Sequence, residues 1–240
     1  MANPLDNRYM TQSQGVAAAA DIDVGLRQYM LKVYNYMSVG LVVTGLIALW
    51  VSEHADVFNA VTYSPLRWVV IFAPLGFALL FGFRIQQMRA VTAEVLYWAF
   101  CAVMGLSLAY IFVLYTHASV ARVFFISAGT FAGMSLYGYT TKRDLTSMGS
   151  FLVMGLFGLI LAMLVNIFFQ SAALYFTISI VGVLIFVGLT AWDTQKIKEM
   201  YSSYDDGTVA GRKAVMGALA LYLDFINLFL FMLRFMGDRR

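Results

Sequence analysis

The sequence predicts an all-α polytopic membrane protein of seven transmembrane helices, and three observations carry that prediction. Of its 240 residues 61% are hydrophobic and only 12% charged, where soluble domains carry about a quarter charged residues. A soluble fold of this size must turn polar helix faces to water, and this chain has too few polar residues to do so. The apolar residues fall in continuous runs close to the roughly 20 that cross a bilayer core, not at the alternate positions of a transmembrane β-barrel. The few charges cluster between those runs.

Taken in order, residues 1–30 read as a polar N-terminal tail, expected to be poorly ordered, and residues 31–237 as the seven-helix membrane domain. Ala17–Ala20 is followed at once by Asp21 and Asp23 with no apolar core before it, so the tail does not read as a secretory signal. The first span is Val33–Val51, with Tyr34 and Trp50 as interfacial anchors. The second, Trp68–Phe83, is short and is lengthened by Leu66 and the snorkelling stems of Arg67 or Arg84. Val95–Thr116 and Val123–Thr141 are the third and fourth. No charge occurs between Asp144 and Asp193. That stretch is too long for one helix, and Gln170-Ser171 divides it into the fifth and sixth spans. The seventh is Ala214–Leu233, interrupted only by Asp224.

Alternate loops assign the sides. Eleven Lys and Arg residues group with the N-terminus and five oppose them (Arg67, Arg122, Arg234, Arg239 and Arg240), which puts the N-terminus in the cytoplasm. Seven full crossings put the C-terminus outside, whereas a re-entrant seventh segment would return the basic tail to the cytoplasm. The net charge of +3 is small, and the basic clusters read as topology signals rather than a nucleic-acid footprint. A single cysteine, Cys101, excludes an intrachain disulfide and a cysteine metal cage. His54 and His117 lie in separate loops and read as interfacial residues. Gly129 and Gly133 in the fourth span have GxxxG spacing, read as close packing within the molecule rather than as a dimer interface.

A carboxylate in the bilayer costs at least ~2.5 kcal/mol on insertion scales and so faces the bundle interior or a wet cavity. Asp224 stands amid Leu221-Tyr-Leu-Asp-Phe-Ile-Asn, with Asn227 three residues on and on the same helical face. Asp193 ends the sixth apolar run at the cytoplasmic boundary. The sixth and seventh spans are consecutive and antiparallel, so the two carboxyls can meet if Asp193 is drawn inward. Two carboxyls in contact do not both ionise cheaply and tend to share a proton. Such a pair suits pH sensing, or binding of a hard cation such as calcium to Asp193 and Asp224. Arg84 and Arg89, at the cytoplasmic end of the second span, are candidate counter-ions that latch the pair. Asn166 in the fifth span is a candidate pore-lining group.

Three stretches together resemble the Bax inhibitor-like family (the transmembrane Bax inhibitor motif family) in its bacterial branch. They are Gly188-Leu-Thr-Ala-Trp-Asp-Thr-Gln-Lys-Ile-Lys, Ala218-Leu-Ala-Leu-Tyr-Leu-Asp-Phe-Ile-Asn-Leu-Phe-Leu, and Leu233-Arg-Phe-Met-Gly. The resemblance implies a seven-helix fold with the last helix surrounded by the other six, in a bacterial inner membrane. It also implies a pH-sensitive calcium leak gated by an aspartate pair, which falls on Asp193 and Asp224, with a basic latch on Arg84 or Arg89. The family usually has Tyr-Asp where this chain has Trp192-Asp193. Some relatives carry a second-span glutamate in the pore, and nothing acidic occurs here between Asp56 and Glu94.

The leading expectation is therefore a calcium or cation leak with no cofactor. The alternative is an interaction protein that modulates a membrane-anchored quality-control protease through the Met1–Gly25 tail. An intramembrane aspartyl protease is disfavoured because Leu221-Tyr-Leu, not a Gly-x-Gly element, precedes Asp224.

Overall fold

The computed structural model describes the backbone of residues 4–240 and the side chains of residues 24–240 apart from Gln86. The chain runs α1 Pro4–Glu53, α2 Ala55–Tyr63, α3 Leu66–Arg84, a 3-10 turn Ile85–Gln87, α4 Ala90–Leu114, α5 His117–Thr140, α6 Thr146–Phe169, α7 Ala172–Glu199 and α8 Gly207–Met236. Seven of these are long and apolar enough to cross a membrane, with Val24–Glu53 the spanning part of α1.

The span order matches the sequence reading, and the differences have local causes. The backbone of the expected tail is helical from Pro4, a residue suited to the first helical turn, through the strong helix formers Ala17–Ala20. Residues 1–3 lie outside the described ones. The short helix α2 fills the first connection and buries no residue. The Gln170-Ser171 break is where expected: Gln170 takes a left-handed φ of 48°, the backbone conformation that ends a helix. Ser171 then caps α7 by accepting from Leu174 N–H. Tyr34 turns its hydroxyl to Ser135 Oγ of α5.

The last helix is the core. In α8, 72% of the apolar stretch is buried, against 44% for the α4 span and 6% for the α6 span. Four helices, α1, α4, α5 and α7, pack against it, while α3 packs on α4 and α6 on α7. The expected ring of six is thus four inner helices and two outer ones. α3 and α6 can remain outside because their apolar faces, including Phe72, Leu75, Phe157 and Leu161, need no protein cover in lipid.

α8 crosses the whole bundle. Near its start Arg212 Nη1 donates to the Met88 carbonyl beside the 3-10 turn. Past its end, Thr116 N–H donates to the Asp238 carbonyl and Arg240 N–H to the Leu114 carbonyl. The seventh segment therefore spans rather than re-enters.

Small residues do bring helices together, but not at the expected pair. A Cβ at Gly129 or Gly133 would meet nothing within 4 Å, so the GxxxG face packs against nothing among the described residues. The close approaches are Gly138 of α5, where a Cβ would strike the Ala191 carbonyl, and Gly149 of α6, where it would strike the Trp192 indole. Gly138→Ala is therefore expected to destabilise the fold by about 1–3 kcal/mol through overpacking, while Gly133→Ala leaves it unchanged or slightly more stable. Thermal unfolding of both variants in detergent measures the contrast.

Candidate functional site

α7 is clamped on the face turned away from its partner aspartate. Gln195 Oε1 accepts from Leu145 N–H, and its Nε2 donates to the Arg143 carbonyl, each at 2.8 Å. Thr194 Oγ1 donates to the Thr190 carbonyl and hydrogen-bonds Ser135 Oγ. Lys198 Nζ donates to the Tyr139 carbonyl. With Gly138 and Gly149 admitting Ala191 and Trp192 on either side, residues 190–198 are held at α5 and the α5–α6 connection. Asp193, between these anchors, is directed at α8. It is not the last residue of its helix, since α7 continues through Glu199, about 9 Å further at 1.5 Å per residue.

α8 is fixed from its other faces. Tyr222 is fully buried, hydrogen-bonds Thr44 Oγ1 at 2.7 Å and packs edge-on against Phe100 and Tyr97. Thr44 Oγ1 also engages the Cys101 carbonyl. Two residues on, Asp224 projects from a different face of the helix.

The two aspartates meet. Their carboxyl groups are close enough to influence each other directly and line one cavity, with Asp224 only 5% exposed and Asp193 half-buried. An ionised carboxylate only accepts hydrogen bonds, so the two can bond each other only when the pair carries a proton. Asp224 Oδ2 is buried with no hydrogen-bond partner among the described residues. Lys196 adds its charge to the surroundings of Asp193, while its ammonium rests over the Trp192 ring.

A cavity of about 540 Å³ opens beside the pair between α6, α7 and α8. Its polar lining is Asp193, Asp224, Asn227 and Arg234, set in a wall that includes Leu156, Met163 and Phe186. Asn227 Nδ2 donates to the Leu223 carbonyl, and the residue lines the cavity. No group of three or more His, Cys, Asp or Glu side chains converges among the described residues. Calcium at the pair would therefore draw most of its six to eight oxygens from water, carbonyls and the Asn227 amide.

The other sequence candidates lie elsewhere. Arg84 and Arg89 are exposed and do not line this cavity; the structure does not bring either to the pair. Asn166 accepts from Ser171 N–H at the α6–α7 turn and lines a second cavity at the C-terminal end of the bundle. Arg234, by contrast, lines both cavities. The sequence reading counted it only as a tail charge. The signal available was its place on the stripe Ala220, Asp224, Asn227, Leu230, Arg234, spaced by three and four residues along one side of α8.

The model of the family described as "Inhibitor of apoptosis-promoting Bax1" matches residues 26–240. An uncharacterised protein of Rickettsia prowazekii is 49% identical over 218 residues, covering 91% of this chain and 92% of its own. The inner membrane protein YbhL of Escherichia coli is 43% identical over 219 residues, covering 90% of this chain and 94% of its own. An uncharacterised membrane protein of Streptococcus pyogenes is 32% identical over 228 residues, covering 90% and 94%.

A proton held by the pair would have a direct signature. Infrared difference spectra taken across a pH titration of the reconstituted protein are expected to show the C=O stretch of a protonated carboxyl. Asp193→Asn and Asp224→Asn should each shift it, because the remaining carboxyl loses its partner, and the double variant should remove it. A band that survives in the double variant belongs to another group.

Proposed function

The chain belongs to the Bax inhibitor family of membrane proteins, and on that premise we propose that it is a pH-sensitive cation leak gated by Asp193 and Asp224, with calcium as cargo. The observation that carries this reading is the buried pairing of two carboxyls at the edge of a cavity in the membrane domain. It is a transport reading, not an enzymatic one.

The sign follows from the charges. With one proton on the pair, the carboxyls bond each other and tie α7 to α8, which closes the path. Without it, two carboxylates ~4 Å apart repel by about 4 kcal/mol at an effective dielectric of about 20. That repulsion favours separation, and the ionised pair then attracts a hard divalent cation. Flux therefore rises as pH rises through the titration of the pair and falls as the proton returns. Two carboxylates and one amide make a sparse ligand set, which suits a passing ion better than a stored one.

In this reading the N-terminus is cytoplasmic, on the positive-inside count above, and the membrane is the bacterial inner membrane, as the name of the Escherichia coli relative supports. The pair then lies in the cytoplasmic half of the bundle and Arg234 towards the outside.

Calcium entry into proteoliposomes is expected to climb with pH by up to about tenfold per unit around the midpoint, the limit for one titrating proton. Asp224→Asn should abolish the pH dependence. Wild-type pH dependence retained in that variant would sink the proposal. It would favour instead an interaction protein restraining a membrane protease, for which deletion of residues 1–25 should alter protease output and leave flux alone.

A further inference from the structure

At the C-terminal end of the bundle lies a cavity of about 400 Å³, distinct in its chemistry from the one beside the aspartates. Its polar lining is Tyr110 and Tyr115 of α4 and its end, Asn166 of α6, Tyr175 of α7, Arg234 of α8 and Arg239 of the tail. No aspartate or glutamate lines it. From these donors we infer that the cavity binds a phosphate group, carried by a lipid headgroup or by a free anion.

Each group is already positioned for that task. Arg234 is half-buried, with its guanidinium near Met163 Sδ at 3.9 Å and over the Phe231 ring. The ion pairs among the described residues are Arg122–Asp238 and Lys213–Asp205, so Arg234 meets no carboxylate there. A cation sheltered among apolar groups near the membrane calls for a counter-ion. Arg239 Nη2 donates to Tyr175 Oη at 2.8 Å, and its guanidinium stacks over the Tyr115 and Tyr175 rings. The tail that carries it is pinned by the backbone bonds of Asp238 and Arg240 to the α4–α5 connection. Asn166 Oδ1 is committed to Ser171 N–H, which turns its amide NH2 into a donor. Two guanidinium forks with an amide and phenol hydroxyls match the oxygens of a phosphate. The inner wall is apolar, with Ile111, Ile178, Leu230 and Leu233, and so suits the glycerol and acyl stem of a lipid.

Arg122 is the control that the structure supplies. It lies at the same end of the bundle, but its charge is matched by Asp238 at 2.6 Å and it does not line the cavity. The inference does not depend on the aspartate pair gating anything.

The test is equilibrium binding of labelled phosphatidylglycerol and of inorganic phosphate to the full-length protein in detergent. Wild type, Arg234→Gln, Tyr175→Phe and Arg122→Gln are compared, each first shown to unfold cooperatively on heating. Saturable binding is expected in wild type and Arg122→Gln. It should weaken about tenfold in Arg234→Gln, the loss of one charge-assisted contact, and by less in Tyr175→Phe, which releases Arg239 without removing a charge. If phosphate binds with this pattern and displaces the lipid, the source is a free anion. If only the lipid binds, it is the headgroup. Saturable binding of neither probe, or equal binding by all four proteins, overturns the inference.

Discussion

A carboxyl group buried between apolar helices is acceptable in two conditions, protonated and hydrogen-bonded, or ionised and matched by a cation or water. In the proposed gate the Asp193–Asp224 pair meets the first when it carries a proton, because two carboxyls bond only through one. Much of the surrounding structure keeps that contact in place. α7 is tied to α5 and the α5–α6 connection through Gln195, Thr194 and Lys198, and α8 is tied to α1 through Tyr222 and Thr44. The aspartates face each other across the interface between two separately anchored helices. Losing the proton therefore loads one interface, not the whole bundle.

The division into inner and outer helices follows from the solvent. In water, α3 and α6 would have to bury their apolar sides. In lipid they can pack on one membrane-spanning neighbour each, which leaves space beside α8 between α6 and α7. That space is where the aspartates, Asn227 and Arg234 are reached. A bilayer thus permits a cavity beside a central helix that is otherwise the most buried element of the fold.

The spans were readable because a membrane segment is set by length and the absence of charge, both one-dimensional properties. The Gln170-Ser171 break and the antiparallel α7–α8 pair followed from them. Asp224 was readable for the same reason, as a charge where none is cheap. What could not be read was depth and azimuth. Asp193 looked like a helix-end residue because Lys196 and Lys198 follow it, yet the helix continues and the lysines turn to the Trp192 ring and the Tyr139 carbonyl. Gly129 and Gly133 had the right spacing for packing but face open space, while Gly138 and Gly149 make the close approaches. Spacing says which residues share a face, not which face is covered. Arg234 was hidden among tail charges, because only the packing shows that it lies at the junction of two cavities.

In the proposed gate, the proton on the aspartate pair and the separation of α7 from α8 are one variable. The direct measurement is the distance between the Asp193 and Asp224 carboxyls in structures of the bilayer-reconstituted protein at acidic and at alkaline pH. Hydrogen-bonded carboxyls are expected in acid, and in alkali a separation beyond the ~4–6 Å at which the pair is directly coupled. The same close contact at both pH values, with the cavity unchanged, would contradict it.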